Sequence, residues 1–61
     1  METIKQVLMR RDGLTEEAAD ELIADAQATL DVYLQEGDLE SAENICEEFF
    51  GLEPDYLFEL L

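Results

Sequence analysis

The stretch TEEAADELIADAQATLDVYLQEGD, residues 15–38, decides the fold. Thr15 stands as an N-cap, and Glu16 and Glu17 follow in the first turn, where negative charge suits the positive end of the helix dipole. Ala19, Leu22, Ile23, Ala26, Leu30, Tyr33 and Leu34 then recur at the three- and four-residue spacing of one buried helical stripe. The helix is expected to run to about Glu36, and Gly37 supplies the C′ position, which favours a left-handed backbone.

Outward from this helix the same grammar repeats. Towards the N-terminus, Thr3 caps a first helix in which Ile4, Val7 and Leu8 share a face. Arg10 and Arg11 occupy its last turn, where positive charge is favoured, and Asp12-Gly13 ends it. Towards the C-terminus, Asp38 reopens a helix as N-cap, and Leu39, Ala42, Ile45, Cys46, Phe49 and Phe50 form its apolar side as far as Gly51, a second C′ glycine. Pro54 suits the first position of a final helix, because its missing N–H has no partner there in any case. Tyr56, Leu57, Leu60 and Leu61 are expected to face inward and complete the core. No strand pattern, repeat or linker competes, so the expected fold is all-α, a compact bundle of three to four short helices forming a single acidic domain over residues 1–61.

Sixty-one residues place the domain near the lower limit for burying a self-sufficient core. The 48% apolar content, with two tyrosines and three phenylalanines, excludes a chain disordered for want of hydrophobic side chains. One cysteine cannot make an internal disulfide, and the absence of histidine rules out Cys/His zinc frameworks. A reducing, cytoplasmic setting is expected. No apolar run reaches the roughly 20 residues of a membrane span, and the N-terminus lacks the apolar core of a secretion signal.

The net charge is −14, and it is distributed unevenly. Lys5, Arg10 and Arg11 are the only cations, whereas Asp12–Leu61 holds sixteen carboxylates and no basic residue. Glu16/Asp20, Glu17/Glu21 and Glu21/Asp25 are like-charged i,i+4 pairs, an arrangement that destabilises a helix by a few tenths of a kcal/mol each. Glu36, Glu40, Glu43 and Glu47 extend the pattern at spacings of four, three and four, which predicts a carboxylate stripe on one face of the third helix. Such repulsion implies a folded state strengthened by salt and by moderate acidification.

Catalysis has little to rest on. There is no histidine, no Ser/His or Cys/His pairing and no glycine-rich phosphate loop, so the chain is expected not to be an enzyme and to need no cofactor. Neither Asp12-Gly13 nor Gly37-Asp38 lies in an EF-hand frame, so no dedicated metal site is expected. Cys46, on an apolar face among carboxylates, reads as an inert core thiol. Three cations on one short helix also argue against direct binding to nucleic acid.

The leading functional expectation is an acidic protein-binding module or regulator that meets a basic protein surface, one belonging to a nucleic-acid-binding protein included, through Glu17, Asp20, Glu21, Glu36, Glu40, Glu43 and Glu47. The runner-up is imitation of DNA, because carboxylates on a helix face lie about 5–6 Å apart and approximate the spacing of phosphates. A third reading uses Phe58, which falls between Leu57 and Glu59 and points away from the leucine side, as an interface anchor for a structural module or homodimer.

The segments RRDGLTEEAADELI and EEFFGLEPDYLFELL, joined by one long helix and a GDLESA turn, resemble small acidic proteins of unknown function encoded by phages, prophages and bacteria. The resemblance covers nearly the whole chain. It carries no activity and no functional residue, but it implies a host-directed role and so raises the standing of DNA imitation.

Overall fold

A computed structural model describes residues 2–61. Helices α1 (Ile4–Arg11), α2 (Glu16–Gln35), α3 (Leu39–Glu43) and α4 (Ile45–Phe50) are followed by a 3₁₀-helix, Pro54–Leu60, and no strand occurs among the described residues. The fold is all-α, with one helical segment more than the sequence suggests. At 20 residues α2 is about 30 Å long at 1.5 Å per residue, close to the longest dimension of a 33 × 20 × 15 Å body. Helix α1 packs along α2, which also contacts α3, α4 and the 3₁₀-helix.

The helix starts follow their caps. Thr3 and Gln6 form a reciprocal capping box, in which the Gln6 amide donates to Thr3 Oγ1 at 3.2 Å and the Thr3 amide donates to Gln6 Oε1 at 2.8 Å. The Ala18 amide donates to Thr15 Oγ1, and the Ser41 amide to Asp38 Oδ1. At the other end of α2, Gly37 adopts φ +72°, which brings the Asp38 amide back to the Tyr33 carbonyl at 2.8 Å and the Gly37 amide to the Leu34 carbonyl, the paired closure of a Schellman motif.

The single third helix of the sequence reading is two. Asn44 leaves helical geometry at φ −96°, ψ 3°, and its side-chain Nδ2 donates to the Glu40 carbonyl at 3.0 Å. A short amide side chain that bonds the backbone locally competes with the helical ladder, and here it separates α3 from α4. Ile45, Cys46 and Phe50 are buried as expected, but Leu39, assigned by spacing to the same stripe, is 63% exposed. Leu34 departs similarly from the α2 stripe at 42% exposure, because it lies in the last turn where α2 leads into the Gly37 turn.

The last element departs in a more consequential way. It begins at Pro54 as expected but winds as a 3₁₀-helix, with three residues per turn. Positions three apart then eclipse. Leu57 and Leu60 form one column directed at the core, Tyr56 and Glu59 another, and Asp55, Phe58 and Leu61 a third. Leu60 is buried, Tyr56 and Leu57 are half-buried, and Leu61 is 77% exposed rather than inward-facing. Phe58 is exposed, as its position in the sequence suggests.

The core comprises Ile4, Leu8, Ala19, Ala26, Leu30, Ala42, Ile45, Cys46, Phe50 and Leu60, with Leu14, Leu22, Ile23, Tyr33, Phe49, Leu52, Tyr56 and Leu57 packed around it. Every segment contributes to it, so loss of one large side chain affects the whole domain. Leu60→Ala is expected to lower unfolding stability by about 2–4 kcal/mol and Leu61→Ala by less than about 0.5 kcal/mol. Urea titration of the two variants checks this, and equal losses would contradict the 3₁₀ register.

Candidate protein-binding surface

The cations set the electrostatics of the site by where they are held. Lys5 Nζ lies 2.8 Å from Glu16 Oε1 and 3.0 Å from Asp20 Oδ1, bridging α1 to the first turns of α2. Arg10 forms a two-pronged pair with Glu2, both contacts at 2.7 Å. Arg11 forks onto Asp12 at 2.9 Å through two nitrogens, and its Nη2 also donates to the Phe50 carbonyl at 2.6 Å. These contacts raise the pKa of Lys5, Arg10 and Arg11, chiefly through hydrogen bonds to Glu16, Glu2 and Asp12 respectively. Four of the seventeen carboxylates are thereby ion-paired.

Three of the expected contact residues are gathered on the N-terminal half of α2, where Glu17, Asp20 and Glu21 line a shallow, open depression with Glu16 and Ala24. Asp20 is not free for a partner, since Lys5 holds it together with Glu16. The like-charged Glu16/Asp20 pair is offset by that shared ammonium, which the sequence conceals because Lys5 stands eleven and fifteen positions away.

The expected single stripe of Glu36, Glu40, Glu43 and Glu47 is distributed over three elements. Glu36 is the C-cap of α2, Glu40 and Glu43 belong to α3, and Glu47 lies on α4 beyond the break at Asn44. All four are exposed, and their carboxylates have no ion pair or hydrogen bond among the described residues. Glu17, Glu21, Asp25 and Asp31 on α2 share that condition, although spacing alone did not single out the last two as contacts.

Two other carboxylates have structural roles. Glu59 Oε1 accepts from the Ile4 amide at 3.0 Å, so a side chain of the 3₁₀-helix satisfies the N-terminus of α1. Glu48 Oε2 accepts from Tyr33 Oη at 3.3 Å, tying α4 to α2. Burial and then the neighbouring Glu48 push the Tyr33 phenol upward. Cys46 is fully buried, and its thiol is pushed up by burial first and by Glu59 second, which keeps it protonated and unreactive. No group of three or more potential metal-ligating side chains occurs among the described residues, and no helix there is long and apolar enough to cross a membrane.

Two solution measurements test this electrostatic picture. The thermal midpoint is expected to rise by several degrees between about 10 mM and 500 mM sodium chloride, because screening relieves more repulsion than attraction. Acidification has an opposing component. Arg10 beside Glu2, Arg11 beside Asp12, and the Ser41 side chain and amide beside Asp38 hold those three carboxyls below their ordinary values. Their stabilisation is complete at neutral pH and is lost as pH falls below about 4, through the depressed folded values. The midpoint is therefore expected to rise on moderate acidification and turn down below about pH 4, as followed by circular dichroism.

No protein-family model, curated protein or solved structure matches this chain.

Proposed function

We propose that this chain is a non-enzymatic binding module that docks on a basic protein surface through the acidic exterior of α2, α3 and α4. The observation that carries the reading is a separation of charge. Lys5, Arg10 and Arg11 are all engaged on α1, while Glu17, Glu21, Glu36, Glu40, Glu43 and Glu47 stand exposed with no cation near enough to pair among the described residues. Protein surfaces ordinarily interleave the two signs, and leaving this many carboxylates uncompensated costs stability that a small domain can ill spare. A cationic partner removes that cost on binding and is steered towards the surface on approach.

A catalytic role lacks support in the same geometry. The depression beside Glu17 and Glu21 is shallow and open, whereas chemistry on a small molecule favours a concave, water-excluding site.

Titration with a fluorescent lysine-rich peptide checks the proposal. Affinity is expected to fall at least tenfold between 50 and 200 mM salt, and to fall at least tenfold when Glu36, Glu40, Glu43 and Glu47 are changed to glutamine. Changing the four ion-paired carboxylates Glu2, Asp12, Glu16 and Asp20 to their amides instead removes the same formal charge where cations already offset it, and is expected to cost less than about threefold. Equal losses from the two sets would reduce the effect to bulk attraction and remove the assigned surface. Displacement of a recovered basic partner by double-stranded DNA would favour the DNA-imitating form of this reading, and simultaneous binding would exclude it.

A further inference from the structure

On the solvent-facing side of the 3₁₀-helix and its C-cap, Phe58 and Leu61 are the two most exposed large hydrophobic side chains among the described residues. Phe58 and Leu61 are 64% and 77% exposed and lie one 3₁₀ turn apart, about 6 Å along the axis, with Asp55 one turn before them. Neither is needed to fill the core, since Leu60 is buried and Tyr56 and Leu57 pack against the same cluster. The helix that presents them is fixed to the body at one end of the core by Leu60 and by the Glu59 bond to the Ile4 amide. A pre-positioned aromatic and leucine lose little conformational freedom on binding, which suits them to act as anchors.

We propose that Phe58 and Leu61 form an apolar anchor for a basic helix of a partner protein, seated on that helix's apolar stripe while its flanking lysines and arginines meet the surrounding carboxylates. This rests on the reading of the acidic exterior as a docking surface and names the kind of partner that exterior takes. Two observations select this occupant over a second copy of the chain. Area is the first: the two side chains offer roughly 300 Å² per copy, against about 800 Å² per partner in a stable interface, so they serve as the centre of a larger contact and do not suffice for a dimer. Charge is the second. Two copies bring −14 against −14, and the exposed Glu53 and Asp55 beside the anchor have no cation partner among the described residues, so the rim of the patch favours a positive neighbour and disfavours its own kind.

The experiment compares two 18-residue helical peptides with identical lysine positions, one with a leucine stripe and one with glutamine at those positions. The intact protein is expected to bind the leucine peptide at least tenfold more tightly. Phe58→Ser and Leu61→Ser are both exposed changes that leave the thermal midpoint within about two degrees, and each is expected to weaken the leucine peptide about fivefold. The double variant is expected to bind both peptides equally, with the glutamine peptide unaffected throughout. Undiminished binding of the leucine peptide to the double variant overturns the anchor while leaving the acidic surface standing. Failure of both peptides to bind the intact protein overturns the acidic reading and the anchor with it. Sedimentation equilibrium supplies the remaining arm: a micromolar dimer that Phe58→Asp returns to monomer would make a second copy the occupant and refute the proposal.

Discussion

Helix α1 is held at both ends by groups from the far end of the chain, and closure of the domain depends on that clamp. At its N-terminus the Glu59 carboxylate accepts from the Ile4 amide, and at its C-terminus Arg11 donates to the Phe50 carbonyl. Each contact places charge where the local backbone dipoles favour it, an anion against free amides and a cation against the carbonyl that ends α4. Between the two lie Ile4, Val7 and Leu8, all buried. The polar clamps fix the orientation of the helix and the three apolar side chains supply most of the stabilisation, since net gains per hydrogen bond are only about 1 kcal/mol.

The clamp also shapes the exterior. Lys5, Arg10 and Arg11 are all drawn into holding α1 or its flanks, with Lys5 reaching only the first turns of α2, so among the described residues no cation pairs with a carboxylate of α3, α4 or the rest of α2. A chain with this composition had two options: scatter its few cations among the carboxylates, or concentrate them where a short helix must be secured. It has taken the second, and the acidic exterior is the direct consequence. The fold and the proposed binding surface therefore share one cause.

Much of this was legible in the sequence, and the parts that were not failed for identifiable reasons. Thr3, Thr15 and Asp38 cap the helices assigned to them, and Gly13, Gly37 and Gly51 all adopt positive φ, because capping and left-handed turns are local properties of a few residues. The break at Asn44 was hidden because helical apolar spacing continues across it from Ala42 to Ile45 and Cys46. Pairing of Asp20 with Lys5 was hidden for another reason, as it joins two helices whose relative placement only the packed structure defines. Exposure of Leu34 and Leu39 has the same origin, since periodicity identifies a face but does not say how far along it the neighbouring helices reach.

The winding of Pro54–Leu60 links fold to function most closely. At 100° per residue, Leu57, Leu60 and Leu61 share a face and Phe58 stands apart, which is the arrangement the sequence suggests. At 120° per residue Leu61 moves out beside Phe58, while Leu57 and Leu60 stay in register on the core. Tertiary contacts hold the tighter winding in place: Leu60 must reach the cluster around Phe50 and Ile45 while Glu59, one residue earlier, reaches the Ile4 amide. Long 3₁₀ runs are uncommon because their hydrogen bonds are poorer, so anchoring through neighbouring positions offsets that deficit. Leu60 and Glu59, in fixing this winding, thus turn an aromatic and a leucine outward, side by side, on a surface otherwise dominated by carboxylates.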